Sequence, residues 1–248
     1  MRRFAVLAAV LVGLASCDMP RAGSPAGAAT PAAPVAAPVA LAPSGPINLP
    51  GTPRAQARAF VEVVDAVEPV AESVCRARAP QLNCDFQIVI DDNPNAPINA
   101  FQTVDDNGRP IVGFTLAMIA DARNRDELAF VLAHEAAHHI EDHLSEQQRL
   151  ATTGAIVFGQ LAGALGRSAD DIRIAQEVGA AVGARTYSRE FELEADRLGT
   201  IITARAGFDP VRGADFFFRV PDPGDTFLAT HPPNAERIQL VRETAAGL

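Results

Sequence analysis

The chain has 248 residues, enough to bury a full hydrophobic core without metal or disulfide staples. Its formal charge is −9, it contains no lysine, and its arginines form no basic stripe. That balance excludes the electrostatic footprint of a nucleic-acid partner, so no nucleic acid is expected.

Met1, Arg2 and Arg3 form a short basic start, and Phe4 to Leu14 (FAVLAAVLVGL) is an unbroken apolar run. The run is shorter than the ~20 residues a spanning helix needs and suits the core of a signal peptide. It ends in Leu14-Ala15-Ser16-Cys17, which resembles a bacterial lipobox. Residues 1–16 are therefore expected to be a lipoprotein signal peptide, removed so that Cys17 becomes an acylated N-terminus. More than one acyl chain anchors a protein stably in a lipid bilayer. This predicts a lipid-anchored protein of the bacterial cell envelope with its folded part in the periplasm. Asp18 follows the cysteine, a position that sorts lipoproteins in some bacteria, and inner and outer membrane both stay open.

Residues 17–53 hold the lipidated cysteine and a Pro/Ala-rich tether, with nine of the chain's nineteen prolines. Such a composition cannot bury a core and behaves as an extended spacer. A single folded domain is expected over 54–248. Cys75 and Cys84 are the remaining cysteines, and an oxidising compartment favours a disulfide between them over two free buried thiols.

Helical spacing of Phe60, Val63, Val64 and Val67 predicts a helix over 54–78. Strands are predicted at 86–90 (FQIVI), 99–104 and 110–115 (PIVGFT), the last two joined by the turn DDNG. One long helix is expected over 121–144, and a further helix over 151–166 packed on the domain. Helices at 172–182, 188–206, 211–220 and 234–245 complete the chain. Helices with one small sheet make an α+β domain.

The long helix carries HEAAHHIEDH at 134–143. Residues four apart on a helix lie about 40° apart, so His134 and His138 can reach one metal ion. Glu135 projects about 60° from His138, near enough to take a proton from an activated water without being a ligand. This is the HExxH arrangement of zinc peptidases. His139 and His143 share the same spacing, but Ile140 stands where their base would be. On a straight helix His143 points about 180° from His134, so both read as supporting or surface histidines. A third ligand is needed. The acidic helix SREFELEADRLG at 188–199 offers Glu192 and Asp196 on one face, with Glu194 about 160° from Asp196. One carboxylate can bind metal while the other holds a ligand histidine by its free N–H.

HEAAH at 134–138, ELEAD at 192–196 and THPPNAERI at 230–238 together resemble the HtpX-like zinc metallopeptidases. That family includes CAAX prenyl endopeptidases and periplasmic BepA-like lipoproteins, and the absence of spanning helices places this chain with the lipoprotein branch. The resemblance implies a mainly helical, zincin-like (gluzincin) metallopeptidase domain with a small antiparallel-containing sheet. It implies one Zn²⁺ per chain held by His134, His138 and Glu192, with Glu135 as general base and Asp196 orienting a ligand. It also implies that Arg237 pairs with a carboxylate near the site. His231 approaches the metal by the same resemblance, either stabilising an oxyanion or closing the open position.

The function so implied is a membrane-tethered zinc metalloendopeptidase that cleaves misfolded or misassembled envelope proteins. The alternative is a zinc-containing periplasmic chaperone or assembly factor with latent protease activity. The substrate is expected to lie extended along a strand edge, with PIVGFT as that edge. BepA-like proteins can carry a C-terminal helical-repeat domain; with Leu248 as the last residue, recruitment through such repeats is not expected.

Overall fold

The structure is a computed structural model and describes residues 51–186, 188–220 and 232–248. Helix α1, Pro53–Arg78, opens on a proline, which suits a first helical position because its missing N–H would be unpaired there. Its buried residues Phe60, Val63, Val67, Ala71 and Val74 recur every three or four positions and form one apolar stripe.

Three strands follow: β1 (Gln87–Asp91), β2 (Ala100–Val104) and β3 (Pro110–Thr115). Their order is β1-β3-β2, with β3 parallel to β1 and antiparallel to β2. The expectation that PIVGFT is an edge is therefore corrected: β3 is the central strand. Its near-continuous burial is what a strand with neighbours on both sides requires. Among the described residues the free edges belong to β1 and β2.

The single helix expected over 121–144 is broken twice. Helix α2, Leu116–Asp121, ends before Asn124, whose side chain caps the next helix by accepting from Glu127 N at 2.9 Å. Helix α3, Arg125–Ile140, then stops where Asp142 adopts the left-handed conformation (φ 58°). Aspartate tolerates that region better than most residues. The chain restarts at once as α4, His143–Ala164, in a new direction.

Helix α5, Ala169–Arg185, begins with a capping box between Ser168 and Asp171. It packs along α4 rather than on the body of the domain. At Gly154 and Gly179 the two backbones are so close that a Cβ would lie 2.0–2.2 Å from the opposite carbonyl oxygen. Helix α6 (Ser188–Arg205), the short α7 (Pro210–Gly213), a 3-10 turn (Ala214–Phe218) and α8 (Asn234–Ala246) complete the described fold. The helix expected over 211–220 is thus a short helix plus a 3-10 turn. Arg219 closes it with a two-pronged pair to Glu127 (2.8 and 2.7 Å) and a bond to Asp121 (3.0 Å). This compensates Glu127, which is only 1% exposed.

At the centre lies α3, whose Leu128, Ala129, Leu132, Ala133, Ala136 and Ala137 are all buried. An all-round apolar helix belongs inside a core. Here α1, β3 and α6 surround it through Val63, Phe114 and Leu198. The domain is an α+β fold, mostly helical with a small mixed sheet. Among the described residues no helix is long and apolar enough to cross a membrane.

Cys75, in the last turn of α1, is bonded to Cys84, with Cα atoms 5.7 Å apart. The bridge ties the approach to β1 onto the end of α1. Closing so short a loop contributes about 2–3 kcal/mol by restricting the unfolded chain. Cys75→Ser with Cys84→Ser is expected to lose that much in urea unfolding. Reductant should then destabilise the wild type but leave the double variant unchanged.

Candidate metal centre

Close packing of α3 on α6 builds the centre. A Cβ at Gly199 would sit 3.1 Å from the backbone of His134, so glycine lets α6 approach at the level of that histidine. His134 and His138 turn their Nε2 atoms toward one point, 3.1 Å apart. Glu192 reaches the same point from α6, with Oε2 3.4 Å from His134 Nε2 and Oε1 3.5 Å from His138 Nε2. The three ligand atoms lie within 4.8 Å of one another. Two imidazole nitrogens and one carboxylate oxygen, converging from two helices, are a donor set that fits a catalytic metal.

Behind this cluster stands Asp196, fully buried, its Oδ1 3.0 Å from His134 Nδ1. Arg237 of α8 grips Asp196 with both prongs of its guanidinium, Nε at 2.7 Å and Nη2 at 2.8 Å. The same Nη2 lies 3.1 Å from Glu192 Oε2, and the guanidinium covers the Phe217 ring at 4.0 Å. Burial pushes the Asp196 pKa up, but Arg237 and His134 more than offset that and hold it below the usual carboxylate range. Burial likewise disfavours a charged His134. Hydrogen bonds to Asp196 and Glu192 outweigh it and raise that pKa to about 10. Burial, reinforced by the neighbouring His134, takes His138 the other way, to about 3.

The supporting histidines divide. His139 is buried on the far side of α3, donating from Nε2 to the Asn83 carbonyl at 2.8 Å and meeting the edge of Phe86. It takes no part in the centre. His143 does. The break at Asp142 turns it back so that its Nδ1 lies 3.0 Å from His138 Nδ1, and its Nε2 lies 3.0 Å from Glu194 Oε2. His143 is thus a supporting histidine, as read from the sequence, but it points where a straight helix would not send it, and Glu194 is a partner that helical geometry on α6 alone had turned away. An aspartate one residue before a histidine was the available signal of the break, but it is a weak one.

The cluster forms the floor of a cleft of about 790 Å³. Glu135 lines that floor, half-buried, beside its two histidine neighbours. One wall is Ile98 to Gln102, including the start of the β2 edge; the other includes Leu144, Gln147, Ala181, Arg185 and Phe191. Exposed Ile98 and Phe101 make the first wall apolar. Cys17, the tether up to residue 50, and His231 lie outside the described residues.

Residues 59–245 match the family model described as Peptidase family M48. The beta-barrel assembly-enhancing protease of Yersinia pestis is 32% identical over 167 residues, covering 61% of this chain and 33% of that protein. Its Escherichia coli (strain K12) counterpart is 29% identical over the same coverage. Mitochondrial metalloendopeptidase OMA1 of Schizosaccharomyces pombe is 28% identical over 128 residues, covering 49% and 37%. The chain spans about a third of the length of these bacterial relatives. With the family match running through both the HExxH helix and the helix of Glu192, the chain belongs to peptidase family M48 and carries its metalloprotease domain.

Proposed function

We propose that this protein is a zinc endopeptidase, tethered to an envelope membrane through acylated Cys17, that cuts unfolded or misassembled envelope polypeptides. The observation that carries the reading is the convergence of His134, His138 and Glu192 beside Glu135, on the floor of a cleft walled by an open strand edge. The names of the beta-barrel assembly-enhancing relatives support envelope proteins as the substrate class.

Held by these three residues, Zn²⁺ would supply Lewis acidity for a peptide carbonyl and for the attacking water. Glu135 takes the proton of that water and passes it to the leaving amine nitrogen. Among the described residues no strand flanks the outer edge of β2, which leaves it open to an extended substrate, and Ile98 and Phe101 accept apolar side chains beside it. Asp196 keeps the His134 ring oriented through Nδ1, and Arg237 keeps Asp196 charged while it is buried.

Purified protein should hydrolyse an unfolded substrate such as casein, lose that activity to a chelator, and recover it on stoichiometric Zn²⁺. Casein hydrolysis that survives complete metal removal would refute the reading.

A further inference from the structure

We propose that His143 and Glu194 act together as a positioning relay for His138, fixing which of its nitrogens is free to bind metal. The inference rests on the metal-centre reading above and extends it to two residues outside the ligand set.

A ligand imidazole must present a lone pair at one nitrogen, and whatever accepts the N–H of the other nitrogen sets that tautomer. For His134 the acceptor is a carboxylate, Asp196, 3.0 Å from Nδ1. The Nδ1 of His138 instead faces another imidazole nitrogen, Nδ1 of His143, at 3.0 Å. Unlike the two Nε2 atoms that share the metal position, these two ring nitrogens have no cation position between them and need one proton to hold them together. If His138 keeps its lone pair on Nε2, toward His134 and Glu192, then its proton sits on Nδ1 and donates to His143. His143 must then be protonated on Nε2, and there Glu194 Oε2 stands ready to accept at 3.0 Å.

The opposite polarity fails at both ends. It would aim an N–H of His138 at the metal position and turn a lone pair of His143 against the Glu194 carboxylate. One carboxylate therefore sets two tautomers in series.

The surroundings hold the relay in place. His143 is 5% exposed and stacks on Phe191 with ring centroids 4.5 Å apart and planes within 17°. The left-handed Asp142 aims it. Glu194 reaches it from α6, the helix that also carries Glu192 and Asp196, so one helix supplies a ligand and the terminal acceptor of both ligand histidines.

The test uses the full chain and reads zinc affinity by chelator competition. His143→Phe and Glu194→Leu should each weaken zinc binding roughly 10–100-fold. The double variant should be no worse than either single one, because the two residues act as a unit. His143→Gln, whose amide oxygen can accept from His138, should recover much of the loss. In the zinc-loaded wild type, ¹⁵N NMR should find His138 protonated at Nδ1 and His143 at Nε2. Unfolding midpoints of the metal-free variants identify any that fail to fold. Zinc affinities within twofold of wild type, additive losses in the double variant, or the opposite tautomers would overturn the relay. A wild-type chain that takes up no zinc overturns the metal-centre reading as well.

Discussion

Glu135→Gln is expected to leave bound metal unchanged and to lower turnover of an unfolded substrate by roughly 10²–10⁴-fold, the usual contribution of a positioned general base. Glutamine matches glutamate in size, so the half-buried position on the cleft floor keeps its packing. What disappears is the capacity to take a proton from water and return it to the amine. The three proposed ligand atoms belong to His134, His138 and Glu192, so metal content should stay at the wild-type level. Casein assays beside metal analysis decide the matter. Full proteolysis by the variant would remove Glu135 from the mechanism. If the protein acts mainly as a chaperone or assembly factor, its cellular role should survive the substitution even though hydrolysis is lost.

Arg237→Ala is expected to destabilise the domain by about 3–5 kcal/mol, the cost of stranding one partner of a buried ion pair. Asp196 is fully buried and receives both prongs of the guanidinium, and Nη2 also lies 3.1 Å from Glu192 Oε2 as an ion pair. Without Arg237 two carboxylates face each other across His134 with no cation but the histidine itself. The lost contact with the Phe217 face adds to the damage. Urea unfolding of the metal-free protein measures the effect. Adding Asp196→Asn to Arg237→Ala should return part of the stability, because a neutral amide no longer needs a counter-ion. A loss below about 1 kcal/mol for the single variant would mean that the pair carries little of the fold's stability.

The elements that were legible in the sequence are those decided within a few residues. Alternation and apolar runs identify the three strands, and helical spacing identifies α1, α6 and α8 to within about two residues. The pair His134 and His138 is legible for the same reason: four residues on one helix fix the angle between two side chains whatever surrounds them. The breaks around Asn124 and Asp142 were not, because each flanking segment is a good helix on its own and only the destinations of α2 and α4 separate them. Strand order escaped as well. PIVGFT is apolar enough to be either a central strand or an edge beside an apolar cleft, and pairing partners decide which.

For this protein the sequence by itself singled out His134, His138, Glu135 and the acidic helix at 188–199 as the candidate centre. Each follows from local helical periodicity and from the small number of chemistries that HExxH can serve. Tertiary structure decided which carboxylate Arg237 of α8 neutralises, Asp196, and that β2 rather than β3 lies at the edge beside the cleft. It also decided that His143 and Glu194 close on His138. The physical reason is common to all three. Each depends on how elements distant in the chain are brought together: α8 onto α6, β3 between its neighbours, and α4 turned back by the left-handed residue at 142. Those distances are set by burial of the whole core around α3, which no local window of residues contains.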